Sequence, residues 1–208
     1  METDRRVLLA TRSHGKLREL HGILAEAGFV GVTLDEYGIP YSSEEEGIEC
    51  YDTFEDNALA KARYFHARTG LPTMADDSGL SVSALGGAPG VWSKRYSGRD
   101  DLTGQALDDA NNEKLLSELK DASDRSAKYS CAAAYVYKSR EEVAMGETHG
   151  RIVDEPRGSE GFGYDPYFYS TELNQTFGEA SIGEKQRVSH RGRAFRALGD
   201  ALRERGRT

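Results

Sequence analysis

Met74-Ala75-Asp76-Asp77-Ser78-Gly79-Leu80 is the stretch on which the reading of this chain turns. A short apolar run, Leu71 to Ala75, leads into two adjacent carboxylates, and Ser78-Gly79 follows them. The pattern predicts a buried strand that stops in a tight turn, with both acids at its C-terminal end. In open α/β sheets, ligands sit in the crevice outside the carboxyl ends of strands, so the pair is a candidate reactive site. Successive strand residues point to opposite faces, so one acid should face the site while the other braces the turn. Asp, Ser and Gly are equally favoured in a plain polar turn, and the stretch alone leaves both readings open.

Upstream, Val7-Leu8-Leu9-Ala10 reads as a buried strand. Thr11 to Lys16 breaks it, and Leu17, Leu20, Ile23, Leu24 and Ala27 mark one face of a helix that Gly28 closes. The junction Thr11-Arg12-Ser13-His14-Gly15-Lys16 enters a helix N-terminus, where backbone N–H groups and the dipole favour anions. It lacks the GxxxxGK[ST] spacing of a Walker loop, and an ordinary capped turn fits it as well. Val32 to Leu34 suggests a weak second strand. The acidic loop Tyr41 to Cys50 follows, whose Glu44-Glu45-Glu46 is either a solvated face or a source of carboxylate for a divalent metal. Asp52-Thr53 caps a helix on which Asn57 and Lys61 share a face beside Phe54, Ala58 and Phe65. Lys61 either snorkels or reaches towards the acidic turn.

Downstream, Ser81 to Leu85 alternates like a half-exposed strand, and Gly86-Gly87-Ala88-Pro89-Gly90 is a dense turn before Trp92. Thr103 can cap a helix carrying Leu107, Leu115, Leu116 and Leu119. Tyr129 to Tyr137 and Val143 to Ile152 read as a hairpin through the charged loop Lys138 to Glu142. The glycine-rich Gly158 to Pro166 lets a backbone approach a flat ligand while Phe162 or Tyr164 stacks on it, or is a structural turn. Tyr167-Phe168-Tyr169 is a last short strand. In the final basic helix, Ser189 is a candidate cap and His190 and Arg191 lie in the first turn. Cations there oppose the macrodipole unless they meet an anion, which points to a ligand.

The 208 residues suit one domain. A formal net charge of −8 argues against a general nucleic-acid binder, which carries a basic face. It leaves room for a small anionic ligand met by a few local cations. Cys50 and Cys131 have no CxxC or metal-type spacing, so a reducing, cytoplasmic setting is expected. The N-terminal apolar run is too short for a signal peptide, and no stretch approaches a membrane span.

Four stretches, in this order, resemble the inosine triphosphate pyrophosphatase family, enzymes that clear non-standard purine nucleotides: Ala75-Asp76-Asp77-Ser78-Gly79-Leu80, Leu85-Gly86-Gly87-Ala88-Pro89-Gly90, Phe162-Gly163-Tyr164-Asp165-Pro166 and Ser189-His190-Arg191. The resemblance runs along nearly the whole chain. It implies an α/β fold with a long mixed central sheet flanked by helices and two lobes around an active-site cleft. It implies a Mg²⁺-dependent hydrolase that cuts ITP, dITP or XTP between the α- and β-phosphates, with a homodimer as the expected assembly. By the same resemblance Lys16 and Lys61 hold the phosphates, Thr11, Arg12, Ser13, His14 and Gly15 bind substrate beside them, and Asp77 is the catalytic carboxylate with Asp76 beside it. Ser78 touches substrate and Glu44 joins Asp77 at the metal, while Phe162, Gly163, Tyr164, Asp165, Lys185, His190 and Arg191 surround the base. Two departures stand out. Arg12-Ser13 replaces the family's usual Gly-Asn, and a longer acidic loop lets Glu45 or Glu46 stand in for Glu44.

The chemistry agrees: a metal neutralises the phosphates and orients water, and a donor at the 6-position rejects adenine. Arg191 or a backbone N–H of the Phe162 loop is the expected donor. Two other readings remain at this level: a phosphomonoesterase with Asp77 as nucleophile, and a nucleotide sensor without turnover.

Overall fold

The computed structural model describes residues 6–204. Seven strands form one sheet in the order β2-β1-β3-β4-β5-β6-β7. They are β1 (Arg6–Leu9), β2 (Val30–Thr33), β3 (Thr73–Val82), β4 (Ser126–Tyr137), β5 (Arg140–Ile152), β6 (Phe168–Ser170) and β7 (Gln175–Thr176). The helices are α1 (His14–Glu26), α2 (Phe54–Thr69), α3 (Gly104–Glu118), α4 (Ile182–Val188) and α5 (His190–Glu204). β1 pairs in parallel with β2 and β3, while β6 runs antiparallel to β5 and β7, so the sheet is mixed as expected.

One expectation fails at the deciding stretch. The chain does not turn at Ser78-Gly79; β3 continues for ten residues, through both acids and on to Val82, with eight of the ten buried. Burial on both faces removes the alternation that marks a strand, and Ser78-Gly79 then imitates a stop signal. Ser83–Leu85, expected as strand, is a 3-10 turn, and Gly90–Arg95 forms another. β7 and α4 are short elements that the sequence reading did not separate from their surroundings.

The described residues fall into two compact units. The first comprises the chain up to Asp77, Cys131–Gly146 and the chain from His190. Here pleating sorts the strand residues. Val7, Leu9, Met74, Cys131 and Ala133 pack on Leu20, Ile23 and Leu24 of α1 and on Ala194, Phe195 and Leu198 of α5. Their neighbours Leu8, Ala10, Ala75, Ala132 and Ala134 pack on Ala58, Ala62 and Phe65 of α2. The second unit, Ser78–Ser130 and Glu147–Ser189, has its own core around Leu80, Leu115, Tyr129, Phe168 and Phe177. Among the described residues no helix is long and apolar enough to cross a membrane.

Gly146 is where β5 meets α5 most closely: a Cβ there would collide with the His190 carbonyl oxygen and the Ala194 nitrogen. Gly70, the left-handed C-cap of α2 at φ 68°, has open space around it. Gly146→Ala should therefore cost about 1–3 kcal/mol through forced backbone shifts. Gly70→Ala should cost about 1 kcal/mol of conformational strain alone. Urea unfolding of both variants checks the order, and equal costs would mean that β5 and α5 yield easily.

Candidate active site

The pleat that sorts the core also separates the two acids. Asp76 follows Met74 on the α1/α5 face, and Asp77 follows Ala75 on the α2 face. Each therefore meets a different set of partners.

Asp76 is fully buried, at 0 % exposure. Its Oδ2 takes an ion pair from Lys16 Nζ at 3.2 Å and one from Arg191 Nε at 3.1 Å, with Cys131 Sγ 4.0 Å away. Lys16 Nζ also donates to the Asp76 carbonyl oxygen at 3.4 Å. Arg191 in turn bonds Glu19 through Nη1, and both of these residues are buried. Burial alone would push the Asp76 carboxyl up; Lys16, Arg191 and Lys61 outweigh it and hold it well below the usual carboxylate range. Burial likewise works to lower the Lys16 ammonium; Asp76, Glu49 and Asp77 together outweigh it and hold Lys16 in its charged form.

Asp77 lies in a different field. Its Oδ2 accepts from Asn57 Nδ2 at 2.9 Å, and Asn57 is fixed by further bonds to both backbone groups of Tyr51. Burial pushes its carboxyl up, Lys16 and Lys61 push it down, Glu49 pushes it up again, and the balance is upward. Lys61, one helical turn after Asn57, pairs with Glu49. From one face of α2, Asn57 thus reaches Asp77 and Lys61 reaches Glu49.

The acidic loop sorts differently from expectation. Glu44, with its side chain 67 % exposed, is bound by Tyr64 and Arg68, each at 3.1 Å. Glu45 is bound by Arg12, and Glu46 by the Tyr41 hydroxyl. Glu49, which the sequence reading did not single out, is the loop carboxylate whose charge is felt at Asp77. Glu19 was also missed, although it sits in the same stripe as Lys16, Leu20 and Ile23. A carboxylate inside an apolar stripe is the signal that could have found it.

At the first junction, Ser13 caps α1, its Oγ accepting from Lys16 N–H, and Thr11 Oγ1 accepts from Ser13 N–H. His14 and Gly15 begin the helix, with His14 exposed. Arg12 turns away to Glu45, Asp35 and the carbonyls of Ile39 and Pro40, so it ties down the following loop. His190 is buried at the start of α5. The anions that Arg191 meets there are the protein's own Glu19 and Asp76.

In the second unit, the Tyr164 ring packs in the core and its hydroxyl donates to the Ser93 carbonyl at 2.7 Å. That leaves Phe162 as the aromatic face of its loop. Asp165 Oδ2 accepts from Phe162 N–H at 2.8 Å and pairs with Lys185 Nζ at 2.5 Å, and Nζ stands 5.2 Å from the Phe162 ring centroid. Gly163 N–H donates to Asp108, so the N–H groups of Phe162 and Gly163 are both engaged within the protein. Ser78 is half-buried in β3.

The two aspartates should respond oppositely to acid. Asp76 has a depressed folded pKa, so its contribution is present above the unfolded value of about 4 and lost as pH falls below it. Asp77 has a raised folded pKa, so its contribution is fully present below about 4 and lost as pH rises through the folded value. Asp76→Asn should flatten the acid limb of unfolding stability between pH 7 and pH 3, whereas Asp77→Asn should steepen it. Chemical unfolding across that range decides the matter, and acid limbs shifted the same way in both variants would contradict the assignment.

A model of the Ham1 family matches residues 7–201. The dITP/XTP pyrophosphatase of Geobacter sulfurreducens is 46% identical over 200 residues, covering 95% of this chain and 96% of that protein. The dITP/XTP pyrophosphatase of Yersinia pestis is 44% identical over 204 residues, covering 96% and 98%. Among solved structures, a HAM1 protein from Coxiella burnetii superposes with a TM-score of 0.80 at 37% identity, covering 96% of this chain and 98% of that one. The Staphylococcus aureus Ham1 protein gives 0.79 at 32% identity, covering 96% and 99%. With the family match spanning residues 7–201 and relatives alike over nearly their full length, this chain belongs to the Ham1 family.

Proposed function

We propose that this protein is a nucleoside-triphosphate pyrophosphatase that hydrolyses ITP, dITP and XTP to the monophosphate and pyrophosphate. The observation that carries the reading is the split of one strand into two acids with opposite tasks. Asp76 is held ionised and, through its ion pair, holds Lys16 in place. Asp77 is pushed upward beside Glu49, towards the range where a carboxylate can take a proton from water. The relatives named dITP/XTP pyrophosphatase support the substrate class.

In this reading Lys16, with the first N–H groups of α1, and Lys61 hold the phosphates. Asp77 holds the attacking water and accepts its proton, and Ser78 touches the substrate. Asp77 and Glu49 are hard oxygen donors, few in number, the set that suits Mg²⁺ with most of its waters retained. Charge neutralisation at the phosphates and orientation of water are what Mg²⁺ supplies when bound. Glu49 takes this place in preference to Glu44 because it is the loop carboxylate whose charge acts on Asp77.

The base falls to the second unit, with Phe162 stacking on its face. Lys185 is the donor best placed for a 6-oxo group, since it stands beside that ring and is oriented by Asp165. Arg191 becomes a positioning residue for Asp76. The reading also includes a cytoplasmic homodimer acting on free nucleotides; the net charge of −8 supports the absence of a nucleic-acid substrate.

The test is product release with Mg²⁺ present: pyrophosphate from ITP, dITP and XTP, and much less from ATP. Orthophosphate as first product would make the protein a phosphomonoesterase, and tight binding without release would make it a sensor. Asp77→Asn and Glu49→Gln should each lower kcat by about a hundredfold or more, with Glu44→Gln near wild type. A large loss in Glu44→Gln and none in Glu49→Gln would return the metal role to Glu44. Lys16→Ala and Lys61→Ala should mainly raise KM, each removing a charge-assisted contact worth about 1.5–3 kcal/mol.

A further inference from the structure

One face of α3 grips a single residue of the Phe162 loop by both of its backbone groups. Asp108 Oδ2 accepts from Gly163 N–H at 2.9 Å, and Asn112 Nδ2 donates to the Gly163 carbonyl at 3.0 Å. The two residues are four apart, so one helical turn presents an acceptor and a donor on one face. Their neighbour Asn111 fastens another segment in the same manner: its Oδ1 accepts from Ser97 N–H at 2.7 Å and its Nδ2 donates to the Lys94 carbonyl at 3.0 Å.

The grip has a cost that packing alone does not explain. Asn112 is 5 % exposed and its Oδ1 makes no hydrogen bond to a described residue. A buried amide that uses half its capacity is a net expense where an apolar side chain would pack without one. Gly163 itself stands at φ +64° with open space where a Cβ would lie, so glycine serves the backbone conformation there and not a tight fit. A residue without a side chain has nothing to anchor it by packing. Its orientation rests on hydrogen bonds, and α3 supplies two of them. On either side of it, Phe162 N–H is bound by Asp165 and the Tyr164 hydroxyl by Ser93.

We propose that Asp108 and Asn112 are positioning residues for nucleobase discrimination, holding the Gly163 backbone so that the Phe162 ring and the Asp165–Lys185 pair present one fixed edge to the base. The inference rests on the reading above that this loop takes the base. A donor held in place meets a 6-oxo group and clashes with a 6-amino group. A donor on a loose loop tolerates both, and discrimination falls.

The experiment measures kcat/KM for ITP and ATP in wild type, Asp108→Ala, Asp108→Asn and Asn112→Asp. Inhibition by inorganic triphosphate, which has no base, is measured alongside. The ITP/ATP ratio should fall by about tenfold in Asp108→Ala and in Asn112→Asp, the equivalent of one net hydrogen bond. Inhibition by triphosphate should be unchanged. Asp108→Asn should keep the ratio, since its amide oxygen still accepts from Gly163. The proposal is overturned if both substrates slow by one factor, or if Asp108→Asn loses as much discrimination as Asp108→Ala. Should Asp108→Ala fail to fold, Asp108→Glu, which keeps the charge and displaces the acceptor, is judged by the same ratio. A wild type that releases no pyrophosphate, or prefers ATP, refutes the activity reading itself before any variant is compared.

Discussion

A carboxylate with no exposure to water must find its compensation inside the protein, and Asp76 finds it in Lys16 and Arg191. Desolvating such a group is expensive enough that removing one partner from a buried pair typically costs about 3–5 kcal/mol. The cluster therefore constrains three elements at once: β3 carries Asp76, α1 carries Lys16 and Glu19, and α5 carries Arg191. Glu19 neutralises the second charge that Arg191 would otherwise leave unbalanced. The start of α5, where Arg191 opposes the helix dipole, is tolerated because these anions are adjacent.

The same strand gives its two acids different surroundings by the pleat of its backbone. Facing α1 and α5, Asp76 is locked in the ionised state by surrounding cations. Facing α2, Asp77 is held by the neutral amide of Asn57 and is left with an upward shift. Two identical side chains one residue apart thus acquire different protonation behaviour from their surroundings alone. Pairs of titratable groups driven apart by their environments are the usual mark of an acid–base assignment.

Much of what looks available for recognition in the second unit is already engaged. Phe162 N–H, Gly163 N–H and the Tyr164 hydroxyl all donate within the protein. What such a loop offers a ligand is a ring face, a lysine and a fixed shape. Fixed shape is what selectivity needs, because a mismatch counts only where the donor cannot move aside.

The sequence by itself was enough for the α/β class and for α1, α2, β1 and the β4–β5 hairpin. Those features depend on local periodicity, capping and composition, which are written along the chain. It misled at Ser78-Gly79, where a strand buried on both faces carries residues that elsewhere end one. It was silent on Glu49, Glu19, Asp108 and Asn112, and it read Arg12 and Arg191 as ligand contacts. Which anion meets an arginine, and which of four nearby glutamates is felt at Asp77, depends on residues up to 172 positions apart. Only the tertiary structure decides such pairings, because charge is a property of the residue and partnership is a property of the packing.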